Sequence, residues 1–121
     1  MSEPEPDSGP RLLGVGKRTE NAVAMQNLLR RAGYRARNFA ISDDAEGDRL
    51  LIAELAEGYD AVLIGSFING QHAELPASPQ TTAWFNRLLN VIGEHAPGTR
   101  IVLVRKPSDV VAVVESVLGR N

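Results

Sequence analysis

Four consecutive apolar residues, Ala61-Val62-Leu63-Ile64, constrain this chain more than any other stretch. They lie inside YDAVLIGSFINGQ (Tyr59–Gln71), with Gly58 before them and Gly65-Ser66 after. A half-buried strand alternates apolar and polar residues, whereas an unbroken run fits a strand covered on both faces. That is the interior of a parallel sheet between two layers of helices. Ligands of such sheets bind outside the carboxyl ends of the strands. The polar, glycine-containing stretch from Ser66 to Pro79 is therefore where function is expected.

The rest of the chain alternates in the same sense. Arg11–Lys17 is a short apolar run ending in a polar turn. Thr19 is placed to cap a first helix, whose Ala22, Met25, Leu28, Leu29 and Ala32 recur at helical spacing before Gly33. Arg35–Ile41 alternates and reads as an edge strand. Ser42, Asp43 and Asp44 offer caps for a second helix with Leu51, Ile52 and Leu55 on its buried stripe. Ser78-Pro79 starts a third helix with a cap and a first-turn proline, and its apolar face runs from Trp84 to Ile92. Arg100–Val104 is a fourth strand, and Ser108 is placed to cap a valine-rich last helix from Val110 to Leu118. Strand and helix alternate four times, which predicts an α/β fold: a four-stranded parallel sheet, order 2-1-3-4, with helices on both faces. Residues 1–10, MSEPEPDSGP, cannot bury anything and read as a disordered tail, with one domain over 11–121.

Charge and composition exclude several functions. The net charge of −2 offers no basic excess for nucleic acid. Cysteine is absent, which removes disulfides and thiol chemistry and suits the cytoplasm. No apolar run approaches the ~20 residues that span a bilayer. His72 and His95 belong to opposite ends of the sheet, so no metal site is expected.

Two segments carry a family resemblance. GKRTENAVAMQNLLRRAGY (Gly16–Tyr34) resembles the first loop and helix of flavodoxins. YDAVLIGSFINGQ with TTAWFNRLL (Thr81–Leu89) resembles their third strand, the loop beside the flavin ring and the following helix. The resemblance implies a flavodoxin-like three-layer sandwich; no cofactor is expected, with FMN as the alternative. Lys106-Pro107 is similar to the Lys-Pro after the last strand of response-regulator receiver domains. The departures are chemical. In the phosphate loop only Thr19 and Asn21 fit the flavodoxin pattern, and Glu20 stands where a glycine is expected. A carboxylate beside a phosphate dianion is unfavourable by at least ~1 kcal/mol even in high dielectric, which Lys17 and Arg18 offset. The receiver's phospho-acceptor position is Gly65, and its acidic pair is replaced by Gly16 and Lys17.

The expected ligand crevice lies between the first and third strands. Lys17, Arg18, Thr19 and Asn21 would face an anion there, and Ser66, Phe67, Asn69 and Gly70 a ring. Ser66 with His72 would supply a nucleophile and base for a hydrolase, although the G-x-S-x-G elbow is absent. The first expectation is a non-enzymatic binding or regulatory domain that acts through self-association and the loops at the carboxyl edge. The second is an FMN-binding redox protein with a divergent phosphate loop. The apolar last helix and the open fourth strand predict a homodimer.

Overall fold

The computed structural model of the chain describes residues 3–119. Its elements in chain order are β1 (Arg11–Gly16), α1 (Thr19–Arg31), β2 (Arg35–Ala40), α2 (Ala45–Leu55), β3 (Ala61–Ile64), a single-turn α3 (Ser66–Asn69), α4 (Pro79–His95), β4 (Arg100–Leu103) and α5 (Val110–Leu118). All strand pairs are parallel and the order is β2-β1-β3-β4. This is the α/β architecture that the alternation predicts. Among the described residues no helix is long and apolar enough to cross a membrane.

The apolar run at Ala61–Ile64 is buried at every position, and the two cores explain why. Val62 and Ile64 join Leu13, Val15, Leu51, Leu55, Trp84 and Leu88 beneath α2 and α4. Ala61 and Leu63 point the other way, joining Leu12, Leu29, Val102 and Val114 beneath α1 and α5. A strand with period two needs apolar residues at every position only when both faces are dry. The result is a three-layer sandwich with β3 inside it. The valines of α5 are buried at Val110 and Val114 and partly buried at Val111, Val113 and Val117, all against the second core.

Caps fix the helix starts. Asp44, in extended conformation, accepts the N–H of Gly47 at 3.0 Å. The hydroxyl of Ser42 donates to the same carboxylate, and these two bonds hold the Asp44 carboxyl below its ordinary range. Ser78 and Thr81 form a reciprocal capping box at α4, with Pro79 in the first turn. Arg87 ties α2 to α4 through Asp48 at 2.9 Å and Asp43 at 2.7 Å.

Two expected caps are corrected. Thr19 is not the N-cap of α1; the last extended residue is Arg18, and no side chain caps the helix. The connection from β1 is only Lys17-Arg18, so the helix begins one residue early. Ser108 does not cap the last helix either. Pro107 starts a 3-10 turn through Asp109, its fixed φ favouring that tight conformation, and α5 begins at Val110.

Of the expected tail, residues 1 and 2 lie outside the described residues, as do 120 and 121 at the other end. Residues 3–10 carry no helix or strand. They lie along α1 and the start of β2: the Glu3 N–H donates to Asn27 at 2.9 Å, its carboxylate meets Arg31 at 3.0 Å, and Arg35 donates to the Gly9 carbonyl at 2.7 Å.

At the amino edge of the sheet Tyr59 is 8% exposed. Its hydroxyl donates to Glu54 at 2.9 Å. Burial first, then the hydrogen bond and the charge of Glu54, push its pKa from 10.0 up to about 12. The unfolded chain loses this proton first, so the stabilisation is complete below the ordinary tyrosine pKa and is lost as pH rises through about 12. Denaturation curves across the alkaline range should show the wild-type chain losing stability over that window. A Tyr59→Phe variant, compared at each pH, should lack this component of the decline.

Candidate functional site

The carboxyl ends of β1, β3 and β4 meet around a cleft on the side of the sheet covered by α1 and α5. Its floor is Gly16, Gly65 and Val104, where the three adjacent strands end, with Ala22 and Met25 of α1 on one flank and Pro107 on the other. Lys17, Arg18 and Asn21 line it from the turn into α1. Ser66, Phe67 and His72 line it from the segment after β3, and Arg105 and Lys106 from the segment after β4.

The polar segment after β3 is not wholly irregular: Ser66–Asn69 forms one helical turn that Gly65 introduces and Gly70 closes. Gly70 has φ +83°, the left-handed conformation that ends a helix and that side chains disfavour. Phe67 projects from this turn toward the β1 loop. The Lys17 ammonium sits 4.2 Å from the centre of its ring, a cation–π contact, and His72 packs against Phe67 edge to face at 6.4 Å. Lys17 and Phe67 thereby separate the cleft from a shallower hollow on the other face of the sheet, beside Trp84.

His72 is held from behind. Its Nδ1 accepts the backbone N–H groups of Glu74 at 3.1 Å and Leu75 at 3.2 Å. In the neutral ring Nε2 then carries the proton, so the imidazole presents a donor. In this arrangement neither ring nitrogen is left to accept a proton from Ser66.

Charge is distributed unevenly. Of the 13 lysines and arginines, Arg120 lies outside the described residues. Eight of the other 12 are engaged: Arg31, Arg37, Arg49 and Arg87 pair with carboxylates, while Arg11, Arg30, Arg35 and Arg100 donate to backbone carbonyls. The remaining four are Lys17, Arg18, Arg105 and Lys106, and all four line this one cleft. No described carboxylate lines it. The uncapped start of α1 adds backbone N–H groups and the positive end of its dipole at the same edge.

Five of the eight residues expected from sequence are brought together here: Lys17, Arg18, Asn21, Ser66 and Phe67. Thr19 is in the first turn of α1, exposed, beside the cleft rather than on its wall. Asn69 and Gly70 do not line it. The Asn69 amide donates to the carbonyls of Ile64 at 2.8 Å and Val104 at 3.1 Å, and its oxygen accepts from the Gln71 N–H at 2.8 Å. It clamps the ends of β3 and β4. Arg105 and Lys106 are absent from the sequence-based set, although the rule that pointed to the ends of β1 and β3 applies equally to β4. Among the described residues no cluster of three His, Asp or Glu side chains could hold a metal ion.

No family model, curated protein or solved structure matches this chain.

Proposed function

We propose that this chain is a small binding domain of flavodoxin-like architecture that holds an anionic ligand at the carboxyl edge of its sheet and acts without catalysis. One observation carries the reading. In a chain of net charge −2, the four described cations without a hydrogen bond or ion pair converge on a single cleft. Like charges gathered without counter-charge repel one another, and an anion turns that repulsion into attraction. The parallel-sheet edge is also where this architecture places ligands. The chain's lack of cysteine suits a reducing location such as the cytoplasm.

The same domain pairs with a second copy. β4 is an open edge of the sheet, and its Ile101 is 37% exposed. Unpaired strand edges with exposed apolar side chains are templates for association.

A second reading is FMN binding. It is favoured by an aromatic ring, Phe67, on the same wall system as Lys17 and Asn21. Glu20, whose charge would oppose the flavin phosphate, does not line the cleft.

The test is calorimetric titration of the purified chain with inorganic orthophosphate at low salt, alongside FMN, with sedimentation of the same sample. The expected result is a dimer that binds orthophosphate, more weakly as salt is raised. Absence of heat at millimolar orthophosphate overturns the anion site, and a monomer at high concentration overturns the pairing. A yellow protein, or saturable FMN binding, would make the second reading the better one.

A further inference from the structure

We infer that the ligand carries a diphosphate, with one phosphoryl group on each of two facing cationic walls. This rests on the anion-binding reading above and specifies what that site takes. The four cations do not form one ring; they come as two consecutive pairs. Lys17-Arg18 follows β1, and Arg105-Lys106 follows β4. The strand order puts β3 between them, so the pairs belong to next-nearest strands. Neighbouring strands lie about 4.8 Å apart, which sets the backbones of the two walls roughly 10 Å apart.

What lies between the walls favours a ligand that reaches across. The β3 position between them is Gly65, followed by Ser66, so no charged side chain stands in the middle. Gly16 and Gly65 put no side chain on the floor at the ends of β1 and β3. An orthophosphate concentrates its charge in one tetrahedron and satisfies one wall while leaving the other pair uncompensated. A diphosphate presents two charged tetrahedra on a short bridge and engages both walls at once. The second contact is then intramolecular and gains from effective concentration. Asn21 and the Nε2–H of His72 add neutral donors on the same lining. The preference therefore needs both walls, because either pair alone serves either anion.

The test compares inorganic pyrophosphate with orthophosphate by calorimetry in metal-free buffer. Pyrophosphate should bind at least ~10-fold more tightly, equivalent to about 1.4 kcal/mol. A double Arg105→Gln, Lys106→Gln variant should level the two affinities while retaining orthophosphate binding. The opposite pair, Lys17→Gln with Arg18→Gln, provides an independent variant that should also remove the preference. All four residues are exposed, and circular dichroism establishes that each variant is folded. Equal affinities in the wild-type chain overturn the diphosphate assignment and leave the anion site standing. Binding of neither anion overturns both. ADP as a third titrant separates the sources: tighter binding than pyrophosphate assigns an esterified diphosphate, weaker binding a free one, and both outcomes uphold the two-wall site.

Discussion

Replacing Gly47 by alanine should destabilise the fold by about 2–3 kcal/mol, against the direction that helix propensity predicts. Alanine in a helix interior is favoured over glycine by up to ~1 kcal/mol. Gly47, however, lies in the first turn of α2, and a Cβ built there would meet the Ser42 carbonyl oxygen at 1.9 Å and its carbon at 2.9 Å. The obstacle is backbone, so no rotamer change relieves it. Either the β2–α2 connection shifts or the first turn of α2 opens. Opening the turn breaks the Asp44–Gly47 cap, and such caps contribute about 1 kcal/mol. It also breaks backbone bonds such as Asp48 N–H to Asp44 O, and each hydrogen bond contributes about 1 kcal/mol net. The losses exceed the propensity gain. With roughly 4 °C per kcal/mol for a domain of this size, thermal unfolding should fall by about 10 °C. An unchanged or raised midpoint would show that the connection yields at little cost. Orthophosphate binding, measured well below the midpoint, should survive, because α2 contributes nothing to the cleft.

The second large effect belongs to Asn69. An Asn69→Ala variant should lose about 2–4 kcal/mol of stability and weaken anion binding as well. The amide is 9% exposed and supplies a donor to both Ile64 O and Val104 O. The Ile64 carbonyl keeps a second partner, the Val104 N–H at 3.1 Å. The Val104 carbonyl loses the side chain that reached it from across the loop, and an orphaned buried acceptor costs about 1–3 kcal/mol. The loss falls where Arg105 and Lys106 leave the sheet, so the β4 wall of the cleft becomes less fixed. Denaturant unfolding measures the first effect. Calorimetry under folded conditions measures the second, with orthophosphate and pyrophosphate compared. A variant that unfolds as the wild type does would mean that water replaces the amide without loss. One that is less stable but binds both anions unchanged would separate the clamp from the site.

These residues also mark how far the sequence could be read. Gly47 and Gly70 both sit in plain view as turn and cap residues, yet only Gly70's role is local. Its left-handed φ follows from ending a helical turn. The demand on Gly47 comes from a carbonyl five residues earlier, and only the path of the connection sets that approach.

For the layers, the sequence was enough. Ala61–Ile64 is apolar at every position because a strand buried on both faces has no outward side, and period-two geometry converts that directly into a covered parallel strand. Local caps were legible in part: Asp44 and Ser78 act within three residues of themselves, whereas Thr19 and Ser108 cap nothing. The cleft was half legible. The β1 and β3 ends announced themselves through glycine and polarity, whereas Arg105 and Lys106 lie 88 and 89 positions beyond Lys17. The sequence reading sets Asn69 to face a ring in the crevice; its amide partner Val104 is 35 residues on. Periodicity and capping are short-range signals fixed by backbone geometry. Which described cations remain without a hydrogen bond or ion pair, and that all of them share one cleft, depends on strand order and on where the other cations find partners. Those are properties of the folded whole, and tertiary structure alone decided them.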